Sequence, residues 1–224
     1  FLYILKSYNT QLAKIALRKA NIIYITAYSY TTAKIDKPLL DRFQVHRINF
    51  KPDAALILLH PKSTIMPQNT TNWLALMQFD SYHHVRTDVN KDYLRILRYI
   101  RGKAVGIVLS GGGTRGWAHL GAIKALRERK IPIDMIGGTS VGAIIAGCYA
   151  MHESWEDAYD RFHTIIKESA TAVSWRSLTW PAISLFNAKG FTLSLMQVFK
   201  NVKIENLWLP YFCITSNLAS NTEA

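Results

Sequence analysis

"AVGIVLSGGGTRGWAHLGAIKALRERKIPIDMIGGTSVGAIIAGCYAM", residues 104–151, alternates short apolar runs with glycine-rich turns, and its reading decides the fold. "AVGIVLS" (104–110) reads as a buried strand and "WAHLGAIKALRER" (117–129) as a helix. "IDMIGG" (133–138) reads as a second strand and "VGAIIAGCYAM" (141–151) as a second helix. Strands and helices alternating at these lengths imply an α/β fold with a parallel sheet flanked by helices, because parallel neighbours need a crossover. Such sheets carry ligands at the C-terminal ends of their strands. Both glycine turns, 110–116 and 137–142, fall at such ends.

The first turn, "GGGTRG", fits GxGxxG through Gly111, Gly113 and Gly116. Two chemistries want that much bare backbone: a cradle for a phosphate-bearing cofactor, or amides aimed at an oxyanion that exists only during a reaction. A plain tight turn is the third reading. A nucleotide fold also wants an acid at the end of the next strand. Asp134 lies at the start of that strand, whose end reads "IGGTS", and no GxxxxGK[ST] loop occurs.

The second turn, "GGTSVG", contains Gly138, Ser140 and Gly142 as GxSxG between an apolar strand and an apolar helix. A serine on a sharp strand-to-helix turn projects its hydroxyl clear of the sheet, and flanking glycines relieve the crowding. The unpaired amides and dipole of the helix favour negative charge beside it. The alternative role for Ser140 is a helix N-cap. Taken together, the turns suit acyl transfer: a nucleophile at Ser140, donors on the glycine row and a fixed positive charge on Arg115.

A Ser-His-Asp triad needs a histidine well downstream. Only His152 and His163 follow, both in the next helical stretch, so neither suits the role. His119 reads as a core or interface histidine and the His83–His84 pair as structural, with no third residue at metal-ligand spacing. Asp157 and Asp160 begin 17 positions after Ser140. A continuous helix would carry them about 25 Å from the turn.

Upstream, "IIYITAY" (22–28) and "AALILLH" (54–60) read as strands of a smaller α/β layer, and "HPKSTIMPQNTTNW" as a loop. "KDYLRILRYIRGK" reads as a helix with Tyr93, Ile96, Leu97 and Ile100 at helical spacing and Gly102 as its stop, which sets a boundary near Lys103. With 49% hydrophobic residues, the 224-residue chain is long enough for a substantial core and is not disordered by composition. The net charge is +12, and 16 of the 27 basic but only 6 of the 15 acidic residues fall within 1–103. Such a surface suits an anionic membrane face, nucleic acid or plain solubility. Cys148 and Cys213 lie far apart in apolar surroundings and are expected as buried free thiols. No apolar run reaches 18 residues. The opening "FLYILKSYNTQLAK" has neither an initiating Met nor a signal cleavage site, so a piece of a longer chain is expected.

"GGGTRG", "GWAHLGAIKAL" and "GGTSVG" at this spacing resemble the patatin-like phospholipases. "NWLALMQFDSYHHVR" and "IENLWLPYFCITSNL" on the flanks are similar to the neuropathy target esterase branch and its bacterial lysophospholipase relatives. The resemblance covers roughly residues 50–218. It implies a degenerate α/β linker over 1–103 and the N-terminal part of a patatin-like domain over 104–224. A cyclic-nucleotide-binding-like region upstream in the parent chain is implied as well. It makes Ser140 the nucleophile of a Ser-Asp dyad and assigns Gly111, Gly112 and Gly113 to the oxyanion hole, with Arg115 in support. Gly116, Gly138 and Gly142 become the motif glycines. The implied substrate is a phospholipid or lysophospholipid at a membrane surface, on the cytoplasmic side, with no cofactor, no metal and no nucleic acid. The family's aspartate sits in a later "DG" dipeptide, which is absent from this sequence, so it is expected beyond residue 224. A nucleotide-binding module and an inactive scaffold are the competing readings. "SWRSLTWPAISLFNAKGFTLSL" (174–195), rich in Trp, Phe and aliphatics, suits lipid access or an ordinary lid or core segment.

Overall fold

The computed structural model describes residues 10–38, 40–41, 52–172, 189–217 and 222–223. The chain forms two compact units, Phe1–Leu97 and Arg98–Ala224.

Among the described residues the first unit holds three parallel strands in the order β1 (Ile22–Tyr28), β2 (Asp53–His60), β3 (Ser81–Arg86). Ahead of them runs helix α1 (Gln11–Lys19), whose first turn is capped by the Thr10 hydroxyl accepting from the Ala13 amide at 3.1 Å. The central strand β2 is buried on both faces, as its unbroken apolar run demands. Leu56 and Leu58 pack on one side with Trp73 of the short helix α2 (Thr70–Leu74). Ile57 packs on the other with Val85 of β3 and Ile96 of α3 (Asn90–Ile100). α2 falls inside the stretch read as a loop. Helix α3 stops where expected, with Gly102 at φ +62° and its amide on the Tyr99 carbonyl. Its buried positions, however, are Asp92, Arg95 and Ile96, while Tyr93, Leu97 and Ile100 are exposed. Paired charges have taken the place that apolar spacing suggested: Arg86 grips Asp92 through Nε and a terminal nitrogen at 2.7 and 2.8 Å, and Arg95 donates to the His84 carbonyl at 2.6 Å.

The second unit repeats the theme with β4 (Gly106–Leu109), β5 (Met135–Thr139) and β6 (Tyr211–Ile214), all parallel with β5 in the centre. A 3-10 turn (Gly113–Gly116) and α4 (Trp117–Glu128) follow β4, and α5 (Val141–His152) follows β5 and packs on the sheet. The fold is the expected α/β one. β4 differs in being an edge strand: Val108 is 69% exposed and only Leu109 is buried. Asp134, buried at the entrance to β5, accepts from Nε and one terminal nitrogen of Arg98 and from the Val105 amide.

The helix after Ser140 is not continuous. α5 ends at His152, Glu153 takes the left-handed conformation at φ 54°, and α6 (Trp155–Ala172) packs back along α5. The Phe162 ring of α6 thereby reaches the Gly116–Val141 region. The straight helix behind the 25 Å figure is not what forms, but Asp157, 3.9 Å from His152, still sits at the far end of α5 from Ser140. α7 (Lys189–Phe199) packs on α6. Most of the Trp- and Phe-rich stretch 174–195 lies outside the described residues; its last part belongs to α7, where Phe191 and Leu193 are exposed.

Candidate active site

The central strand β5 delivers its last residues to the exposed C-terminal edge of the sheet, and Ser140 stands directly beyond it at φ 52°, ψ −130°. A non-glycine residue held there costs on the order of 1–3 kcal/mol. The strained turn persists because its surroundings admit nothing else. A β-carbon on Gly138 or on Gly142 would overlap the Leu109 carbonyl oxygen, and one on Gly142 would also stand 2.5 Å from the Ser110 oxygen. The two motif glycines thus let the elbow press against the end of β4. Ser140 occupies the N-cap position of α5, but its side chain makes no capping hydrogen bond and is exposed.

The glycine row sits beside it. A β-carbon on Gly111 would lie 3.2 Å from Cβ of Ser140, so the two turns, 29 positions apart in sequence, form one edge of the site. Gly113 has φ +55° and opens the 3-10 turn. The amides of Gly111, Gly112 and Gly113 donate to no backbone carbonyl among the described residues, whereas the Arg115 amide closes on the Gly112 oxygen at 3.2 Å. The Arg115 side chain is exposed and forms no ion pair or hydrogen bond among the described residues. Gly116 is buried where the start of α4 meets Val141 and Phe162.

His119 has a definite partner: Nε2 lies 2.9 Å from the Ser110 carbonyl oxygen. A carbonyl only accepts, so Nε2 carries the proton. The ring therefore ties α4 to the residue that precedes the glycine row, a contact that spacing in sequence did not disclose. His152 and His163 are not at Ser140. His152 faces Arg161 at 3.1 Å, and His163 stacks on Tyr159. Asp157 is bound by Arg161 Nε at 2.7 Å. Among the described residues no carboxylate hydrogen-bonds to Ser140.

An apolar cavity of about 460 Å³ opens at Ser140, a size suited to a small organic ligand. Its wall includes Ala143, Gly147, Leu195, Phe199, Tyr211 and Cys213. Sequence reading missed it because its residues come from α5, α7 and β6 across seventy positions. Cys148 is buried on α5, where loss of water pushes its thiol up to about 12. Cys213 departs from the expectation of a buried thiol. It pairs in register with Gly138, which has no side chain to cover it, and it is left half-buried on the cavity wall.

In the first unit, His83 and His84 are buried on β3, and His84 Nδ1 lies 2.9 Å from His60 Nε2. No group of three metal-ligating side chains occurs among the described residues. No helix among them is long and apolar enough to cross a membrane.

Together these features define an α/β domain with a strained serine elbow, a neighbouring row of glycines and an apolar chamber behind the serine. Residues 107–223 match the family model described as patatin-like phospholipase, and residues 1–109 match the neuropathy target esterase family P-loop like domain. The chain belongs to the patatin-like phospholipase family, in its neuropathy target esterase branch. It is 29% identical over 249 residues to a patatin-like phospholipase domain-containing protein of Caenorhabditis elegans, covering 92% of this chain and 18% of that one. It is 41% identical over 140 residues to the lysophospholipase NTE1 of Kluyveromyces lactis, covering 60% of this chain and 9% of that one. The neuropathy target esterase sws of Drosophila sechellia is 28% identical over 244 residues, covering 92% and 16%. The chain thus spans less than a quarter of the length of these relatives. No solved structure matches it.

Proposed function

We propose that this chain carries the nucleophile and oxyanion hole of a serine esterase acting on phospholipids or lysophospholipids. The observation that carries the reading is the juxtaposition of Gly111 with Ser140 at the mouth of the apolar cavity. Ser140 Oγ attacks the ester carbonyl carbon, and the negative charge that develops on the carbonyl oxygen is taken by amides of Gly111, Gly112 and Gly113, with Arg115 adding positive charge. The alcohol or glycerophospho group leaves with a proton. Water then releases the fatty acid from Ser140 and restores the hydroxyl.

The lipid class is supported by the family, by the lysophospholipase among the relatives and by an apolar chamber suited to an acyl chain. Exposed Phe191, Leu193 and Met196 on α7 support work at a membrane surface. In this reading the proton acceptor is an aspartate, forming a Ser-Asp dyad; Asp157 does not serve, because Arg161 holds it. The nucleotide alternative loses its acid as well, since Asp134 is spent on Arg98 and the Val105 amide.

The test is Ser140→Ala in the intact gene product. Lysophospholipid hydrolysis is expected to fall by at least about 10³-fold with an unchanged circular dichroism spectrum, because no other group at the elbow forms the acyl intermediate. A fluorophosphonate should label Ser140 and nothing in the variant. Retained turnover in a folded Ser140→Ala protein overturns the assignment.

A further inference from the structure

The cavity behind Ser140 follows one side of α5. Ser140, Ala143, Ile144 and Gly147 all line it, and steps of three and four residues keep them on one helix face. At a rise of 1.5 Å per residue, Gly147 lies about 10 Å along the axis from Ser140. Ala143 and Gly147 present at most a methyl group, so the wall dips into a shallow trough at these two positions, with the Ile144 side chain beside them.

The trough is closed at the Gly147 end. A β-carbon on Gly147 would stand 3.1 Å from Cε1 and 3.3 Å from Cζ of Phe199, and 3.8 Å from Cε2 of Tyr211. The Phe199 ring, carried by α7, therefore lies across the trough at the level of Gly147. Tyr211 is fixed beside it by its hydroxyl, which donates to the Ala143 carbonyl at 3.1 Å. At the other end Ser140 is exposed, so a chain enters at the serine and runs toward the ring.

We propose that Gly147 and Phe199 are the end stop of an acyl-chain ruler that fixes how many carbons fit between the scissile carbonyl at Ser140 and the cavity floor. The proposal rests on the reading of Ser140 as nucleophile. An extended chain advances about 1.2 Å per bond, as backbone dimensions show. A trough about 10 Å deep then holds about eight carbons. Each methylene buried inside it is expected to raise kcat/KM about 4-fold. Carbons past the ring leave the α5 wall and are expected to add less.

The experiment measures kcat/KM of the intact gene product on nitrophenyl esters from acetate to palmitate. The expected profile climbs to about octanoate and then flattens. Gly147→Val, whose side chain meets the Phe199 ring and pushes it toward the serine, moves the break to shorter acids while butyrate turnover persists. Phe199→Ala, which removes the ring and leaves α5 untouched, moves the break to longer acids and keeps the test decisive even where Gly147→Val fails to fold. A break at the same carbon number in the unaltered protein and in folded Phe199→Ala overturns the ruler and leaves the Ser140 assignment standing. Absence of hydrolysis of every ester, together with no fluorophosphonate labelling of Ser140, overturns that assignment and the ruler with it.

Discussion

Both units are built on three parallel strands with the most buried strand in the middle, yet the C-terminal ends of those strands are finished in opposite ways. In the first unit "DAALILLH" fills both faces of β2 and ends in His60, which meets His84; beyond them Arg86 is locked to Asp92, and Arg95 to the His84 carbonyl. Most of the polar groups there are paired, although His83 Nδ1 and Arg95 Nε make no hydrogen bond among the described residues. In the second unit "MIGGT" brings almost no side chain to the end of β5, and what stands exposed is a hydroxyl and a row of amides. One architecture is sealed at the edge where such sheets bind ligands, and the other is open. Fold and chemistry are separable in this chain: the sheet supplies rigidity in both units, and the identity of a few residues at strand ends decides whether anything can react.

The largest effect should come from forcing a side chain into the open end. Gly142→Ala sets a methyl group against the Leu109 and Ser110 carbonyl oxygens, both backbone and neither free to move without shifting β4. The expected loss of stability is about 3 kcal/mol or more, with loss of the elbow conformation and of activity together. Urea unfolding of the variant measures it. A variant as stable and as active as the parent protein would show that the elbow does not press on β4 as described.

Much of this contrast was legible in the sequence. Aliphatic runs, bounded by proline at β2 and by glycine at β4 and β5, mark these strands, and GxSxG between strand and helix marks the elbow because few other residues tolerate that turn. What escaped did so for physical reasons. The break between α5 and α6 rests on Glu153 in the left-handed region, without the glycine or proline that announces a turn. The burial of Asp92 and Arg95 in α3 depends on partners that only the tertiary fold brings together. Exposure of Val108 reflects the edge position of β4, which an apolar run does not encode. The cavity is assembled from α5, α7 and β6 and has no local signature at all.

The sealed end should respond to acid. Burial is the main cause holding His60 and His83 down to about 4, against an ordinary value of 6.5, with Arg86 and Arg95 respectively adding to it. The unfolded chain takes up protons between those two values while the folded unit does not, so stability is full above about pH 6.5 and falls as the pH drops toward 4. A loss of at least about 2 kcal/mol is expected across that window, since both rings contribute in the same direction. Hydrogen exchange of the β2 and β3 amides, compared at neutral and mildly acidic pH and referred to intrinsic rates, reads it for this unit alone. Protection that does not weaken on acidification would mean the rings are already charged, or solvated, in the folded state.

The smallest effect belongs to the one contact that brings a histidine to the open end. His119 sits one turn into α4 and donates from Nε2 to the Ser110 carbonyl, the last peptide before the glycine row. The bond touches neither substrate nor nucleophile in the proposed reaction; it fixes the angle at which the amides of Gly111, Gly112 and Gly113 leave the sheet. A single neutral hydrogen bond is worth about 1 kcal/mol, so His119→Ala should lower kcat by about 5-fold. KM should stay nearly constant, because the amides engage the oxyanion in the transition state more than the ground-state ester. His119→Gln, which returns an N–H donor on a side chain of similar reach, should recover part of the rate. A change confined to KM, or an equal loss in both variants, would assign His119 to packing of α4 rather than to alignment of the glycine row.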